Sequence, residues 1–493
     1  MKETAHKRTR KRTVEAFGKY FTEPSLRDAG KRHQQDAQIL RDSFEIPADM
    51  QGVGQDKYYY VKTFGCQMNE HDTEVITGIL NILAYQPTED VQQADIILLN
   101  TCAVRENAEN KVFGELGHLK HLKQQKPDLI LGVCGCMPQE EAVVERILRT
   151  HQHVDLIFGT HNIHRLPFLL REAFFNKEMV VEVWSQEGDI VEDLPKARLG
   201  DAKAWVNIAY GCDKFCSYCI IPYTRGKERS RLSADIVTEV QGLVEAGYQE
   251  VTLLGQNVNS YGKDLKEETG DFAQLLRAVS ATGIPRIRFV TSHPWEFTDA
   301  MIEAIAACDN IMPHVHLPVQ SGSSEVLRKM RRQYTRESYI ELYDKIRTMI
   351  PRVSITTDII VGFPNETDEQ FNETLTLVQQ CNFDGAYTFI YSPREGTPAA
   401  RLKDTISDKV KKDRLQQLNA VVNTSALARN SAYADTEVKV LVHGESKRNS
   451  DVLAGYTEEN KLVNFRGDRS LIGKIVPVKI TDVKTWSLNG EVC

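Results

Sequence analysis

No apolar run in the 493 residues comes near the roughly 18 that a membrane span needs. The opening stretch "MKETAHKRTRKRTVE" lacks the apolar core of a secretory signal. Both absences point to a cytoplasmic chain with no membrane partner. In that compartment the ten cysteines are expected as thiols or metal ligands, not as disulfides. An excess of positive charge is missing as well. With a formal net charge of −7, any polyanion has to be met by local basic patches. Lys2, Lys7, Arg8, Arg10, Lys11 and Arg12 form one such patch, either an RNA-steering arm or a solvated tail. What is present is 41% hydrophobic and 26% charged residues, the balance of a soluble globular chain. The length asks for about two to four domains, and a monomer is expected.

Residues 1–57 are polar, have no clear hydrophobic period, and read as a basic, disordered extension. From Tyr58 the texture becomes alternating strand and helix. "YYYVKTFGC", "ADIILLNTC", "DLILGVCGC" and "VDLIFGT" read as strands, with helical patterns such as "EVITGILNIL" and "QEEAVVERILRT" between them. That alternation predicts an open parallel α/β sheet over 58–177. The acidic stretch 178–203, with Gly and Pro, reads as a linker. Over 204–430 six further strands alternate with helices, from "AWVNIAYGC" to "DGAYTFIYS", and predict an incomplete (β/α) barrel. Residues 431–493 switch to strand patterns only, as a small OB-like β-barrel would require.

The cysteines fall into two sets of three. Cys66, Cys102 and Cys136 are 36 and 34 residues apart, about one βα repeat each. Each therefore follows the carboxyl end of a parallel strand, on the sheet edge where ligands bind. Three thiols in equivalent positions suggest one shared metal site. Cys134 in "VCGC" still belongs to its strand and is expected to be inert. The second set, Cys212, Cys216 and Cys219, lies in "GCDKFCSYC". A structural zinc site wants four ligands, and no further Cys or His follows within dozens of residues. A four-iron cluster held by three thiolates leaves one iron free for a ligand that is not protein.

C-x3-C-x2-C with an aromatic before the last cysteine, here Tyr218, resembles the radical S-adenosylmethionine (SAM) superfamily. "GCQMN", "LNTCAVRENAENK" and "GCMPQ" resemble the amino-terminal motifs of its methylthiotransferases. "YGCDKFCSYCIIPYTRGKERSR", "LLGQNVNSYG", "TSHP" and "HLPVQSGS" are similar to the MiaB-type, tRNA-modifying branch of that family, and the last β region resembles the RNA-binding TRAM domain. The resemblance covers about 58–493. It implies two 4Fe-4S clusters, an auxiliary one on Cys66, Cys102 and Cys136 and a SAM-binding one on Cys212, Cys216 and Cys219. It further implies two SAM molecules per turnover. The reaction implied converts N6-dimethylallyladenosine next to the anticodon of tRNA into its 2-methylthio derivative. Partners implied are the anticodon stem-loop with its prenylated adenosine, an electron-donor protein and a sulfur source.

Tyr218, Gln256, Asn257, Ser321, Gly322 and Gly362 are candidates to line SAM: polar groups or glycines at strand ends, where an ordinary turn is the competing explanation. Arg225, Lys227, Arg229 and Arg231, and a second run of Arg328, Lys329, Arg331 and Arg332, could meet phosphate or simply be solvated. His293 is expected to be structural, and Cys308, Cys381 and Cys493 match no metal motif. Residues 431–493 carry nine basic and nine acidic residues, so charge alone does not mark RNA binding there. Tyr456, Phe465 and Arg466 are either RNA contacts or barrel core. Rival readings are a sister enzyme acting on threonylcarbamoyladenosine or on a ribosomal protein, and a non-catalytic iron–sulfur or zinc RNA-binding protein.

Overall fold

Four apolar runs from Tyr58 onward do become parallel strands. The computed structural model describes residues 39–493, apart from 42, 104–105, 177–178, 185–189, 266–269 and 447–448. In its first unit the order is β1 (Tyr58–Phe64), α1 (Gln67–Ile82), β2 (Gln86–Pro87), β3 (Ile96–Thr101), α2 (Glu106–Gln125), β4 (Ile130–Gly135), α3 (Glu141–Thr150), β5 (Leu156–Phe158), α4 (Leu166–Asn176) and β6 (Val180–Glu182). These strands form one sheet in the order β2-β1-β3-β4-β5-β6, every pair parallel. All residues of β3 and β4 are buried, because helices cover both faces. Ile96, Leu98 and Ile130 pack with Ile76, Ile79, Leu169 and Leu170 on one side. Ile97, Leu99, Leu131 and Val133 pack with Val112, Leu116, Val144 and Ile147 on the other. Each such side chain contributes roughly 1.5–3 kcal/mol by burial. The short helix α5 (Ile221–Thr224) and its flanks, residues 220–229, belong to this unit too.

Two expectations change here. The segment read as a linker, 178–203, begins as the sixth strand of the sheet, and its later part is strapped to α1. There Ala197 donates its backbone N–H to the Glu74 carbonyl, and Arg198 pairs with the Glu74 carboxylate at 2.8 Å. Part of the extension read as disordered is also folded. Ile39–Leu40 pairs in parallel with Ile190–Val191, and Met50 is fully buried in the core beneath α1 and α4. Isolated apolar residues have no period to detect; their partners are distant in sequence. The basic tail from Lys2 to Arg12 lies outside the described residues.

The second unit contains the expected incomplete barrel: β7 (Lys203–Asn207), α6 (Ser233–Glu245), β8 (Glu250–Leu254), α7 (Phe272–Ser280), β9 (Arg286–Phe289), α8 (Asp299–Ala307), β10 (His314–His316), α9 (Ser324–Lys329), α10 (Arg336–Met349), β11 (Ser354–Val361), α11 (Asp368–Cys381), β12 (Gly385–Ile390) and α12 (Asp408–Ser431). The strands form two three-stranded parallel sheets, β9-β8-β7 and β10-β11-β12, and Ile287 of β9 bridges in parallel to Ile311, just before β10. Alternation sets the two faces. Val206, Leu253, Phe289, Val315 and Ile359 join the core under the helices. Their neighbours along each strand, including Asn207, Thr252, Arg288, His316 and Asp358, face the concave side.

Residues 437–492 close into a five-stranded barrel of β13 (Glu437–Ser446), β14 (Asn449–Tyr456), β15 (Leu462–Arg466), β16 (Ile475–Val483) and β17 (Leu488–Val492), in the order β13-β14-β15-β17-β16. Phe465, one of the possible RNA contacts, is buried in its core with Val440, Val463 and Ile480. Two buried arginines fasten this barrel to the amino end of β9. Arg286 donates to the carbonyls of Tyr456 and Lys439, both at 3.0 Å. Arg288 donates to Thr457 at 2.6 Å and Glu458 at 3.0 Å, while Glu250 holds its Nε at 2.7 Å. No helix among the described residues is long and apolar enough to cross a membrane.

Candidate active site

The strand-end prediction holds for the first three thiols. Cys66 caps α1 directly after β1, Cys102 follows β3, and Cys136 follows β4. Cys66 and Cys102 are hydrogen-bonded to one another, and Cys66 and Cys136 feel each other's charge, so the three share one edge of the sheet. The loops that bring them there are cross-linked by two asparagines from the same motifs. Asn69 donates to the Asn100 side chain at 3.2 Å and the Thr101 carbonyl at 3.1 Å, and Asn100 returns a bond to the Asn69 carbonyl at 2.7 Å. Gly135 turns the chain at φ +96°, and a Cβ there would meet Asn100 at 2.4 Å. Only glycine fits so close to the neighbouring strand.

A guanidinium completes this cluster of groups. Arg225, just after α5, is buried, donates to Cys136 Sγ at 3.1 Å and pairs with buried Asp72 at 2.6 Å. The Cys102 hydrogen bond, aided by Arg225, outweighs burial and brings the Cys66 thiol down to about 6. Burial pushes Cys136 up to about 11 against the pull of Arg225. Cys134 is different: it sits inside β4, in the apolar core beneath α1 and α4, and burial raises its pKa far above the ordinary thiol value. Among the described residues no three His, Cys, Asp or Glu side chains are grouped tightly enough to hold a single metal ion. A four-iron cube takes its ligands at separate corners, and soft thiolates are the donors it takes.

In the second set, Cys212 donates its backbone N–H to the Gly226 carbonyl at 3.1 Å. Cys219 donates its own to Cys216 at 3.0 Å, forming a tight turn. Lys214, between the first two thiols, is tied to Glu296 at 2.5 Å, and that carboxylate also accepts from Asn257 at 2.8 Å, from Ser260 and from Lys263. Burial alone would raise the pKa of Glu296, but these donors together pull it down to about 2. Arg332 is fully committed: to Cys216 Sγ at 3.3 Å, to the Tyr334 hydroxyl at 2.9 Å and to the Pro318 carbonyl at 3.1 Å.

The two basic runs are divided by burial: Arg328 and Arg331 are exposed, and Lys227 and Lys329 half-buried. Arg225, Arg229, Arg231 and Arg332 are buried, and Arg231 donates to the Asn207 carbonyl at 2.7 Å. Among the SAM candidates, Tyr218 packs against the apolar cluster of Val326, Met330, Phe363 and Tyr391. Asn257 spends its amide on Ser260 and Glu296, although its carbonyl oxygen is buried without a partner. Gln256, beside it, is half-buried. Ser321 accepts from the Ser323 N–H at 3.2 Å. Gly322 lets its loop approach α11, since a Cβ would lie 2.5 Å from Glu373 O. The Gly362 N–H donates to Glu366 at 2.8 Å. His293 is structural: its Nδ1 accepts from the Trp295 N–H, and burial, with Arg332 and Lys214 nearby, lowers its pKa to about 2.

Comparison with known proteins finds matches in three parts of the chain. Residues 58–159 match the uncharacterized protein family UPF0004, 206–378 the radical SAM superfamily, and 432–493 the TRAM domain. The radical SAM match brings SAM and a 4Fe-4S cluster with it. The fold resembles a radical SAM methyltransferase, TsrM from Kitasatospora setae, with a TM-score of 0.53 at 14% identity, over 70% of this chain and 75% of that one. The tRNA-2-methylthio-N(6)-dimethylallyladenosine synthase of Oceanobacillus iheyensis is 62% identical over 96% of this chain and 92% of its own. That of Anoxybacillus flavithermus is 59% identical over 98% and 93%. Identity at that level, over nearly the whole length of both relatives, means that this chain belongs to the tRNA-2-methylthio-N(6)-dimethylallyladenosine synthase family.

Proposed function

We propose that this chain installs a methylthio group at C2 of N6-dimethylallyladenosine, next to the anticodon of tRNA, consuming two SAM molecules. The observation that carries the reading is the pair of separate three-thiol sets, one on a sheet edge and one in a C-x3-C-x2-C loop, in a chain with such relatives. Cys212, Cys216 and Cys219 would hold the SAM-binding 4Fe-4S cluster, and Cys66, Cys102 and Cys136 the auxiliary one. When bound and reduced, the first cluster would supply the electron that splits SAM into methionine and a radical able to take hydrogen from C2, and the second would supply the place where the incoming sulfur is held.

The protein's own groups would do the positioning. Arg225 fixes Cys136 while Asp72 balances its charge. Arg332 fixes Cys216, and the Lys214–Glu296 pair anchors the base of the cysteine loop. Tyr218, Gln256, Asn257, Ser321, Gly322 and Gly362 remain our candidates around SAM. The reading also calls for an electron-donor protein and a sulfur source, and places the chain in the cytoplasm. The test is to incubate the anaerobically reconstituted protein with SAM, a reductant, sulfide and tRNA carrying dimethylallyladenosine. Nucleoside mass spectrometry should find the 2-methylthio product; its absence, or the same group appearing on threonylcarbamoyladenosine, overturns the reading.

A further inference from the structure

Most large apolar side chains of the half-barrel are buried, yet its last strand breaks the pattern. Along β12, Tyr387 is 63% exposed and Phe389 41% exposed. Their strand neighbours Ala386 and Ile390 pack on the core beside α12, and Thr388 bonds to Asn419 of α12 at 2.6 Å. Tyr387 and Phe389 therefore point the opposite way, to the concave face. The register agrees: Gly385, Tyr387 and Phe389 pair with Thr356, Asp358 and Ile360, and Thr356 pairs with His316. His316 meets the Tyr387 ring edge-on at 5.9 Å and Asp358 at 3.5 Å.

The same row has a third ring, from the other domain. A Cβ on Gly385 would lie 3.7 Å from the ring of Trp486, an ordinary contact distance, so Trp486 stands beside Gly385 at the start of the row. Trp486 is 55% exposed. Its turn is held by buried Asn430 of α12, which donates to the carbonyls of Lys484 at 2.9 Å and Thr485 at 3.0 Å. Trp486, Tyr387 and Phe389 thus stand in line, with two strand residues per step. They run from the C-terminal β-barrel toward the carboxyl ends of the half-barrel strands, where the chemistry of such folds sits.

We propose that this aromatic row is the surface on which unpaired bases of the tRNA anticodon loop stack. Three features select that occupant. Every base offers a π face, so flat exposed rings bind single-stranded nucleic acid without needing one sequence. The row is continuous with residues 432–493, which match the TRAM domain. His316 and Asp358, paired with each other at 3.5 Å beside Tyr387, put a polar rim along the row that suits a base edge better than an apolar protein partner. The inference rests on the tRNA substrate proposed above and names the residues that present it to the site.

The test uses the reconstituted full-length protein and an anticodon stem-loop RNA containing dimethylallyladenosine, with Kd measured by anisotropy at several fixed salt concentrations. Tyr387→Ala, Phe389→Ala and Trp486→Ala are each expected to weaken binding about tenfold. The slope of log Kd against log salt should stay as in wild type, because no phosphate contact is removed. Tyr387→Phe and Trp486→Phe should restore most of the affinity, and RNA-independent SAM cleavage should be unchanged in every variant. Unchanged Kd in all three alanine variants overturns the proposal, as does a Phe variant as weak as its Ala counterpart. So does a change of oligomeric state without loss of RNA binding, which would assign the row to a second copy. Wild-type protein that binds this RNA through the row but makes no 2-methylthio product would instead overturn the proposed activity and leave the surface standing.

Discussion

The two thiol sets solve one problem in opposite ways. Cys212, Cys216 and Cys219 come from a single loop, so short-range chain geometry alone can offer three thiolates to a cluster. Cys66, Cys102 and Cys136 come from three strand ends and approach each other only after β1, β3 and β4 have paired. The second arrangement needs a built scaffold, which is why Asn69, Asn100 and Gly135 surround it. Their charge environments differ as well. Arg225 on Cys136 is offset by the Asp72 carboxylate, whereas Arg332 on Cys216 is met by a phenol and a carbonyl. One thiol set lies beside a neutral ion pair and the other beside a net positive charge.

Removing each set in turn is the harshest test of this contrast. Changing Cys66, Cys102 and Cys136 together to Ala should halve the iron bound on reconstitution and abolish methylthiolated tRNA, while 5′-deoxyadenosine is still formed from SAM. Any of Cys212→Ala, Cys216→Ala or Cys219→Ala should abolish 5′-deoxyadenosine and leave the other iron in place. Product from the triple variant, or normal SAM cleavage in one of the single variants, would erase the division of labour.

The two arginines come next. Arg225→Ala strands the buried Asp72 carboxylate, and breaking a buried pair this way costs roughly 3–5 kcal/mol. Arg332→Ala strands no carboxylate. Tyr334 keeps the Pro318 and Val319 carbonyls at 3.1 and 3.0 Å, so a loss of about 1–2 kcal/mol is expected. Hydrogen exchange in apo-protein, read at β4 for the first and β10 for the second, should show that order. Equal losses would mean that Asp72 does not distinguish the sites.

Glu296 sharpens the comparison through pH. Its folded pKa near 2 lies below its ordinary value near 4.5, so the stability it confers is present above 4.5 and lost as pH falls through 2. The amount is about 3 kcal/mol. Glu296→Gln should remove that part of the acid dependence from the second unit and leave the first unit unaffected. An identical acid-unfolding profile in wild type and variant would show that the Lys214 anchor contributes nothing.

Much of this was legible in the residues. Strand and helix periods located all six strands of the half-barrel, and the βα-length intervals between cysteines placed the first thiol set on one sheet edge. What sequence could not show was the destination of isolated groups. Arg225 looks in sequence like Arg229 or Arg231, a basic residue in a basic run, and only tertiary structure brings it to Cys136 from 89 positions away. Met50 belongs to no period, and Val180 sits in an acidic stretch; both are buried because distant strands and helices supply their partners. Phe465 could not be assigned to core or surface until β15 had a register.

The mildest prediction asks whether position on a strand, and not mere nearness in sequence, decides which thiol serves the first site. Cys134 and Cys136 are two residues apart, yet one lies inside β4 and the other beyond its end. The Gly135 turn at φ +96° separates them, so Cys134 packs with Ile96, Leu98 and Ile130 while Cys136 meets Ala103, Ile220 and Tyr223. Cys134→Ala removes one buried sulfur from an apolar core, which should cost about 1 kcal/mol, as for deletion of a single methyl group. Iron content and methylthiolated product should match wild type. If iron falls by half in this variant and not in Cys136→Ala, the strand-end rule has selected the wrong thiol, and the contrast between a site built by fold and a site built by loop has to be redrawn.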